Sequence, residues 1–328
     1  MALTSYLDAS RAALAGELRR DPRVWALGED LGRGGVFGQY RGLQAEFGAD
    51  RVVDTPISEA TIMGAAVGAA LVGTRPVVEM RFSDFALCAV DELVNQAAKA
   101  RFMFGGQAKV PLVARLPIGL WRSSAAQHSQ SLEAWWTHVP GLIVTCPATP
   151  ADAAGLLVAA IRCDDPVVHM EHKGLWPLEG EVADGAEPVP IGVADIARAG
   201  CHVTVVTWSA TRHTALAAAE ILAVEGVEAE VIDLRSLWPW DRDRVLASVE
   251  RTRRLVVAHE AVQVGGFGAE VAATVAEALG DRLAAPIRRV AAPRVPIAYA
   301  GPMEDAFRVT PAAIADAVRG VVAARSTV

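Results

Sequence analysis

Arg51-Val52-Val53-Asp54-Thr55-Pro56-Ile57-Ser58-Glu59 decides how this chain reads. A short extended run rich in valine meets a turn at Pro56. A carboxylate then heads an apolar, glycine-spaced segment that continues to about Val72. That pattern predicts a helix over 59–72. Strand, turn and helix in so short a compass form the unit of an α/β layer. The same arrangement leaves one acid, Glu59, half-buried at a helix N-terminus. The helix dipole stabilises a carboxylate there by ~0.3–1 kcal/mol, which is the plain account of Glu59. The sharper account is an acid able to exchange a proton with a ring nitrogen of a bound heterocycle.

Glycine inside a helix costs ~1 kcal/mol relative to alanine. Gly64, Gly68 and Gly73 recur at about one helical turn. Close approach of another element, or of another subunit, is therefore expected to offset them.

Outward from this unit, short apolar runs alternate with helix-like runs. Val24–Leu27, Pro76–Met80, Pro111–Arg115, Leu142–Thr145 and Pro166–Met170 read as buried parallel strands. Helices are predicted near 5–20, 85–102, 130–137 and 150–162. The stretch from Pro177 to Gly192 is rich in proline, glycine and acids and reads as a linker. A second series follows, with strands at His202–Val206, Glu228–Ile232, Arg254–Ala258 and Pro286–Val290. Its helices are expected near 211–225, 241–251, 266–279 and 311–324. The expectation is two α/β domains, 1–187 with its linker and 188–328, each a parallel sheet flanked by helices.

The chain has 328 residues, 52% of them hydrophobic and 21% charged, with a net charge of −7. No apolar run reaches the ~18 residues of a membrane-spanning helix. The apolar surplus must lie in cores or subunit interfaces, so an oligomer is expected. An acidic balance without a long basic stripe argues against nucleic acid. Met1 to Asp8 lacks the charged-then-apolar layout of a signal peptide. The cysteines, at 88, 146, 163 and 201, show no C-x-x-C spacing and read as reduced thiols of a cytoplasmic protein.

Other segments carry candidate chemistry. Phe85 follows a strand, at the end of an α/β sheet where ligands bind, and an aromatic ring there can stack on a flat heterocycle. A phenylalanine so placed is more often a plain core residue. His128 lies in the polar cluster Ala125-Ala126-Gln127-His128-Ser129-Gln130-Ser131, and an imidazole suits proton transfer near neutrality. His138 could close the same pocket or end a helix. The remaining histidines have no metal-ligand spacing, and no His-based metal site is expected. Gly265-Gly266-Phe267-Gly268 could meet a phosphate at a helix N-terminus, a weak signal by itself.

In their order and spacing these segments resemble the beta subunit of the decarboxylating component of 2-oxoacid dehydrogenase complexes, in the transketolase superfamily. The resemblance runs nearly the full length. It includes Leu27-Gly28-Glu29-Asp30, Asp54 to Glu59, Asp84-Phe85-Ala86, Asn95 to Lys99, Gly105-Gly106-Gln107 and Gln127-His128-Ser129-Gln130. It continues through His138 to Leu142, Val231 to Arg235, His259-Glu260 and Gly265 to Glu270. The stretch Ala125 to Trp136 is most similar to the pyruvate and acetoin branches. The resemblance implies a thiamine-diphosphate pyrimidine-type domain followed by a smaller transketolase C-terminal-like domain.

It also implies roles. Glu59 matches the acid that bonds to the cofactor's aminopyrimidine ring and favours the tautomer able to deprotonate the thiazolium carbon. Phe85 matches the residue stacked on that ring, with Ile57 alongside, and Glu29 and Arg81 complete the cofactor set. Glu29 and Asp91 match acids that help connect two active sites through a proton path. His128 matches the histidine that steadies intermediates and assists acyl transfer to a lipoyl arm. The cofactor supplies the carbanion chemistry and the protein supplies geometry and proton traffic.

The family's G-D-G…N segment, which grips the diphosphate and its magnesium, is not found here; Asp184-Gly185 lacks the rest. The resemblance assigns that half, Mg2+ included, to an alpha subunit, and the chain is expected to be inactive alone. It implies a heterotetramer of two alpha and two beta subunits, with helix 59–72 at a beta–beta contact and the second domain helping to bind a lipoyl acyltransferase core. A structural K+ near Ile161 to Asp165 is a further implication. At Arg115-Leu116-Pro117-Ile118-Gly119-Leu120-Trp121-Arg122 bulky residues replace the family's glycines, and Arg81 replaces a frequent neutral residue. A reshaped substrate channel is expected, so the substrate stays open between a 2-oxoacid and acetoin. A split transketolase-like carboligase and a non-catalytic scaffold remain as alternatives.

Overall fold

The computed structural model describes residues 2–183 and 185–324. Asp184, noted above for its Asp-Gly pair, lies outside them. The chain divides into two compact units. One comprises residues up to Gly119 with 127–191; the other comprises 120–126 with residues from Gly192 onward.

The first unit runs β1 (Ala2–Ser5), α1 (Tyr6–Arg20), β2 (Val24–Gly28), α2 (Leu43–Phe47), β3 (Val52–Asp54), α3 (Glu59–Leu71) and β4 (Arg75–Glu79). It continues with α4 (Ala98–Met103), β5 (Val113–Ile118), α5 (Glu133–Thr137), β6 (Ile143–Thr145), α6 (Pro150–Arg162), β7 (Val167–His172) and β8 (Glu179–Val182). Six of these strands lie parallel in the order β6-β7-β5-β4-β2-β3. Helices α1 and α6 pack on one another and cover Val24, Val77, Val113 and Val167 of the sheet. Every residue of β5 and β7 is buried, as expected of central strands covered on both faces.

Those strands also carry charge. Glu79 of β4, Arg115 of β5, His169 of β7 and Thr145 of β6 stand side by side in register. Arg115 is wholly buried. Its Nε donates to Glu171 Oε2 at 2.6 Å and its Nη2 to Ser10 Oγ of α1 at 2.9 Å. Ser10 in turn donates to Glu171 Oε1 at 2.6 Å. The guanidinium lies 5.3 Å from the Tyr40 ring centre. Burial alone would raise the Glu171 carboxyl, but Arg115 and His169 overcome it and hold it at about 2. Burial wins at Glu79, 3.9 Å from Arg115, and pushes its carboxyl up to about 7.

Several expectations need correction. The helix read over 85–102 is three pieces: a 3-10 turn at Phe85–Ala89, a π-helical stretch at Asp91–Ala97, and α4. Asp91 accepts from Asn95 at 2.7 Å and from Gln96, five residues on, at 3.3 Å, a reach that suits the wider π turn. The helix read over 130–137 begins only at Glu133. Part of the presumed linker is strand β8, antiparallel to β1, with Glu179 and Glu181 turned outward. Of the two neighbours expected for Gly64, Gly68 and Gly73, this chain does not supply the first: Gly64 faces only Glu92 Cγ at 3.5 Å, Gly68 and Gly73 have nothing within reach, and a second subunit remains the expected one.

The second unit holds β9 (Asp195–Arg198), β10 (Val203–Thr207), α7 (Thr211–Val224), β11 (Ala229–Asp233), β12 (Ser236–Trp238) and α8 (Arg242–Thr252). After these come β13 (Leu255–Val262), α9 (Gly268–Leu279), β14 (Arg288–Ala292), α10 (Gly301–Asp305) and α11 (Pro311–Ala323). Its sheet has the order β14-β13-β10-β11-β9, parallel except for β9. Helices α7 and α11 close one face over Val205, Val231 and Val256. His259 of β13 is wholly buried and stacks on Trp208 at 5.0 Å and 11°. A methyl group on Gly266 or Gly268 would come 2.7 Å from that imidazole, so the glycine-rich turn is accounted for by a ring packed beneath it.

Arg115→Met leaves Glu171 buried without its cation, and urea denaturation should show a loss of about 3–5 kcal/mol. His259, held down to about 4 first by burial and then by Arg289, takes up a proton more readily when unfolded. Its contribution is complete above pH ~6.5 and falls, by up to about 3 kcal/mol, as the pH drops towards ~4. His259→Phe, which keeps a ring on Trp208, should flatten that acid limb in urea titrations across this range.

Candidate active site

The candidate residues gather where the parallel strands of the first unit end, the usual ligand face of such a sheet. Glu29 follows β2 and is buried. Arg81 follows β4, with a left-handed φ of 52°, and its Nη1 binds Glu29 Oε2 at 2.8 Å and approaches Asp30 at 3.6 Å. Arg81 is thus occupied in neutralising an acid at the floor of the site.

Phe82 stands at the centre of an aromatic cluster. Its ring meets Phe85 at 5.4 Å, His128 at 4.8 Å and Phe37 at 5.7 Å, all edge-on. His128 also meets Phe85 edge-on at 5.2 Å, and Phe37 leans on Trp176 at 4.6 Å. Gln130 Nε2 donates to Asp84 Oδ1 at 2.7 Å, tying the His128 loop to the residue before Phe85. Two residues separated by 43 positions in sequence, Phe85 and His128, therefore share one surface.

Glu59 begins α3 and is half-buried; it makes no hydrogen bond or ion pair among the described residues. Helix α3 follows the carboxyl end of β3, with Glu59 five residues past Asp54, and packs along the Phe85–Ala89 turn and the π-helical stretch. Ile57 is 75% exposed. Asp91 is exposed and held by Asn95 and Gln96. His138 is an exposed residue at the end of α5.

Two participants were not singled out in the sequence, Phe82 and Lys173. Lys173 directly follows β7 and is wholly buried; its Nζ lies 4.7 Å from the Phe82 ring centre and donates to the His128 carbonyl. The available signal was position, since Phe82 and Lys173 both sit just past the carboxyl ends of strands. The carbonyls of Ile161 and Cys163, where a monovalent cation was considered, accept from Arg75 Nη1 at 3.0 and 2.9 Å. Asp164 binds the same arginine at 2.6 Å and Lys109 at 2.7 Å. Among the described residues no cluster of three or more His, Cys, Asp or Glu side chains is arranged to hold a metal.

Buried polar atoms without a protein partner mark this surface: Ser83 Oγ, Asp84 Oδ2 and Arg81 Nε beside Phe85, Ser129 Oγ beside His128, and Thr55 Oγ1 ahead of Glu59. Such atoms need a ligand or water to satisfy them. Unpaired donors and acceptors beside the half-buried Phe85 and His128 rings fit a flat, polar heterocycle such as an aminopyrimidine.

Comparison with known proteins agrees. Residues 4–179 match the pyrimidine binding domain of transketolase, and residues 192–314 match the transketolase C-terminal domain. The chain is 46% identical to the beta subunit of acetoin:2,6-dichlorophenolindophenol oxidoreductase of Cupriavidus necator, over 94% of each chain. It is 42% identical to the 2-oxoisovalerate dehydrogenase beta subunit of Bacillus subtilis, over 97% of this chain and 98% of that one. The pyruvate dehydrogenase E1 component subunit beta of Rickettsia felis is 41% identical, over 96% and 97%.

The chain belongs to the beta-subunit family of the thiamine-diphosphate-dependent 2-oxoacid and acetoin dehydrogenases.

A solved structure titled split gene transketolase, inactive beta4 tetramer, has the same fold, with a TM-score of 0.80 at 23% identity over 98% of this chain and 99% of that one. In this beta-subunit family member, Gly119 follows β5 with a φ of +89°, and a methyl group there would lie 2.0 Å from His172 Nε2. Gly119→Ala should therefore displace His172, next to Lys173. A loss of roughly 2–4 kcal/mol is expected by thermal or urea unfolding, from backbone strain and overpacking together.

Proposed function

We propose that the chain is the beta subunit of a dehydrogenase for a 2-oxoacid or acetoin. Paired with an alpha subunit, it cleaves a C–C bond next to a carbonyl and passes the acyl group to lipoamide. The observation that carries this reading is the His128 imidazole set edge-on against Phe85 and Phe82, with Glu59 heading the helix packed on the Phe85 turn.

In this reading the chain provides the aminopyrimidine side of a thiamine-diphosphate site, and the alpha subunit provides the diphosphate and Mg2+ side. Bound thiamine diphosphate supplies a carbon nucleophile and an electron sink. Glu59 hydrogen-bonds a ring nitrogen and sets its protonation. Phe85 offers an apolar surface that orients the ring and excludes water. Ile57, largely exposed in this chain, comes alongside once the partner covers it. Glu29, fixed by Arg81, lines the floor as a charge-neutral pair. His128 exchanges a proton with the substrate-derived oxygen and with the incoming thiol.

The exposed row Thr61, Ala65, Gly68, Leu71 and Val72 recurs along one face of α3. Its small residues permit close backbone approach, which suits a contact between two beta subunits in a heterotetramer of two alpha and two beta chains. The second unit is assigned to docking on a lipoyl acyltransferase core. No described helix is long and apolar enough to cross a membrane, and none of the four cysteines forms a disulfide; a cytoplasmic location is proposed with them.

Co-purification with an alpha subunit, then reduction of 2,6-dichlorophenolindophenol with pyruvate, 2-oxoisovalerate or acetoin in thiamine diphosphate and Mg2+, tests the proposal. Glu59→Gln should leave the assembly intact on a sizing column and lower kcat by about 100-fold or more. Full turnover by that variant, or none of these substrates oxidised by the wild-type assembly, would sink it.

A further inference from the structure

Lys173 has no part in the chemistry described so far, yet it is wholly buried beneath the residues that do. A lysine almost never loses all contact with water unless its charge is put to use. This one opens a 3-10 turn, Lys173–Leu175, directly after β7. The turn is set by His172, whose Nδ1 accepts from the Gly174 amide at 3.0 Å. His172 in turn sits against Gly119, where no side chain would fit. The stem of Lys173 is thus aimed by packing between the ends of two adjacent central strands.

Its ammonium meets two groups of the candidate site. It donates to the backbone carbonyl of His128, and it lies 4.7 Å from the ring centre of Phe82. Phe82 is the ring on whose edge the His128 imidazole packs, at 4.8 Å. One cation therefore holds both the main chain of His128 and the surface under its side chain. The His128 loop forms no regular element: the next helix begins only at Glu133. A side-chain tether from the rigid sheet supplies the constraint that loop backbone lacks.

We propose that Lys173 is the positioning residue for His128, fixing the place from which the imidazole exchanges protons. The inference rests on His128 acting in turnover. A displacement of about 1 Å at such a group costs up to about 100-fold in rate, whereas a lysine that only fills space would change stability and leave the reaction alone.

The test uses the assembly with its alpha subunit, and dye-linked turnover of whichever of pyruvate, 2-oxoisovalerate or acetoin the wild type oxidises. Lys173→Met keeps the length and removes the donor and the charge. It should lower kcat about tenfold or more while KM stays within about twofold. Lys173→Arg should recover part of that loss. The double variant Lys173→Met, His128→Ala should turn over no more slowly than His128→Ala alone, because a positioning residue has nothing left to position. Amide exchange over 127–131, read by mass spectrometry, should quicken in Lys173→Met.

Unchanged kcat in Lys173→Met, or losses that multiply in the double variant, overturns the proposal. If His128→Ala itself keeps wild-type kcat, the role given to His128 is what fails. In that case faster exchange over 127–131 still supports the tether, and unchanged exchange overturns it. Should Lys173→Met fail to assemble, Lys173→Gln, which keeps a shorter donor, is read by the same kinetic and exchange assays.

Discussion

The Arg115–Glu171 pair is the constraint on which the first unit is organised. A guanidinium and a carboxylate wholly removed from water are tolerable only when geometry is good and the remaining polar atoms are engaged. Here Glu171 accepts from both Arg115 and Ser10, and Ser10 belongs to α1. The pair thus fixes two neighbouring central strands to each other and to the helix above them. Glu79 on the next strand feels the same charge but lies too far for a hydrogen bond, so burial dominates its protonation. Hydrophobic packing of valines alone would leave the strands free to choose among similar registers; a buried charge row does not.

That row sits just below the ends of the strands, and the site stands on those ends. Two residues beyond Glu79 comes Arg81, three beyond Arg115 comes Ile118, and two beyond Glu171 comes Lys173. Arg81 turns to Glu29, while Lys173 turns to Phe82 and the His128 carbonyl. Both cations are absorbed into the floor, and the face above them is aromatic: Phe82, Phe85 and the His128 ring. A low-dielectric surface of this kind strengthens every hydrogen bond made across it. It suits the role proposed for Glu59, a single carboxylate that sets the place of a proton.

Much of this was legible beforehand. The α6 limits Pro150–Arg162 were readable because Thr149 and Pro150 stand ahead of a long apolar run, and the α3 start at Glu59 because the turn at Pro56 precedes another. The central strands were readable because they are short, apolar runs rich in β-branched residues. The 85–102 region misled because its composition is helical throughout, while its hydrogen bonding changes from turn to π to α as it bends around the site. Strand β8 was hidden in a stretch that looked like a linker; its alternation of outward Glu179 and Glu181 with half-buried Gly180 and Val182 was a short signal among prolines. The α3 glycines promised a close neighbour, and the chain itself does not provide one.

By itself, the sequence determined the α/β class, the alternation of strand and helix, the acid at the head of α3 and the residue types of the site. These depend on local periodicity and on motifs a few residues long. Only the tertiary structure decided that Phe85 and His128 share a surface, that Arg81 is spent on Glu29, that the glycine-rich turn wraps His259, and that Lys173 reaches under His128. Each joins residues far apart in the chain, and parallel strands connected by crossovers bring such residues together without leaving a local trace of which will meet.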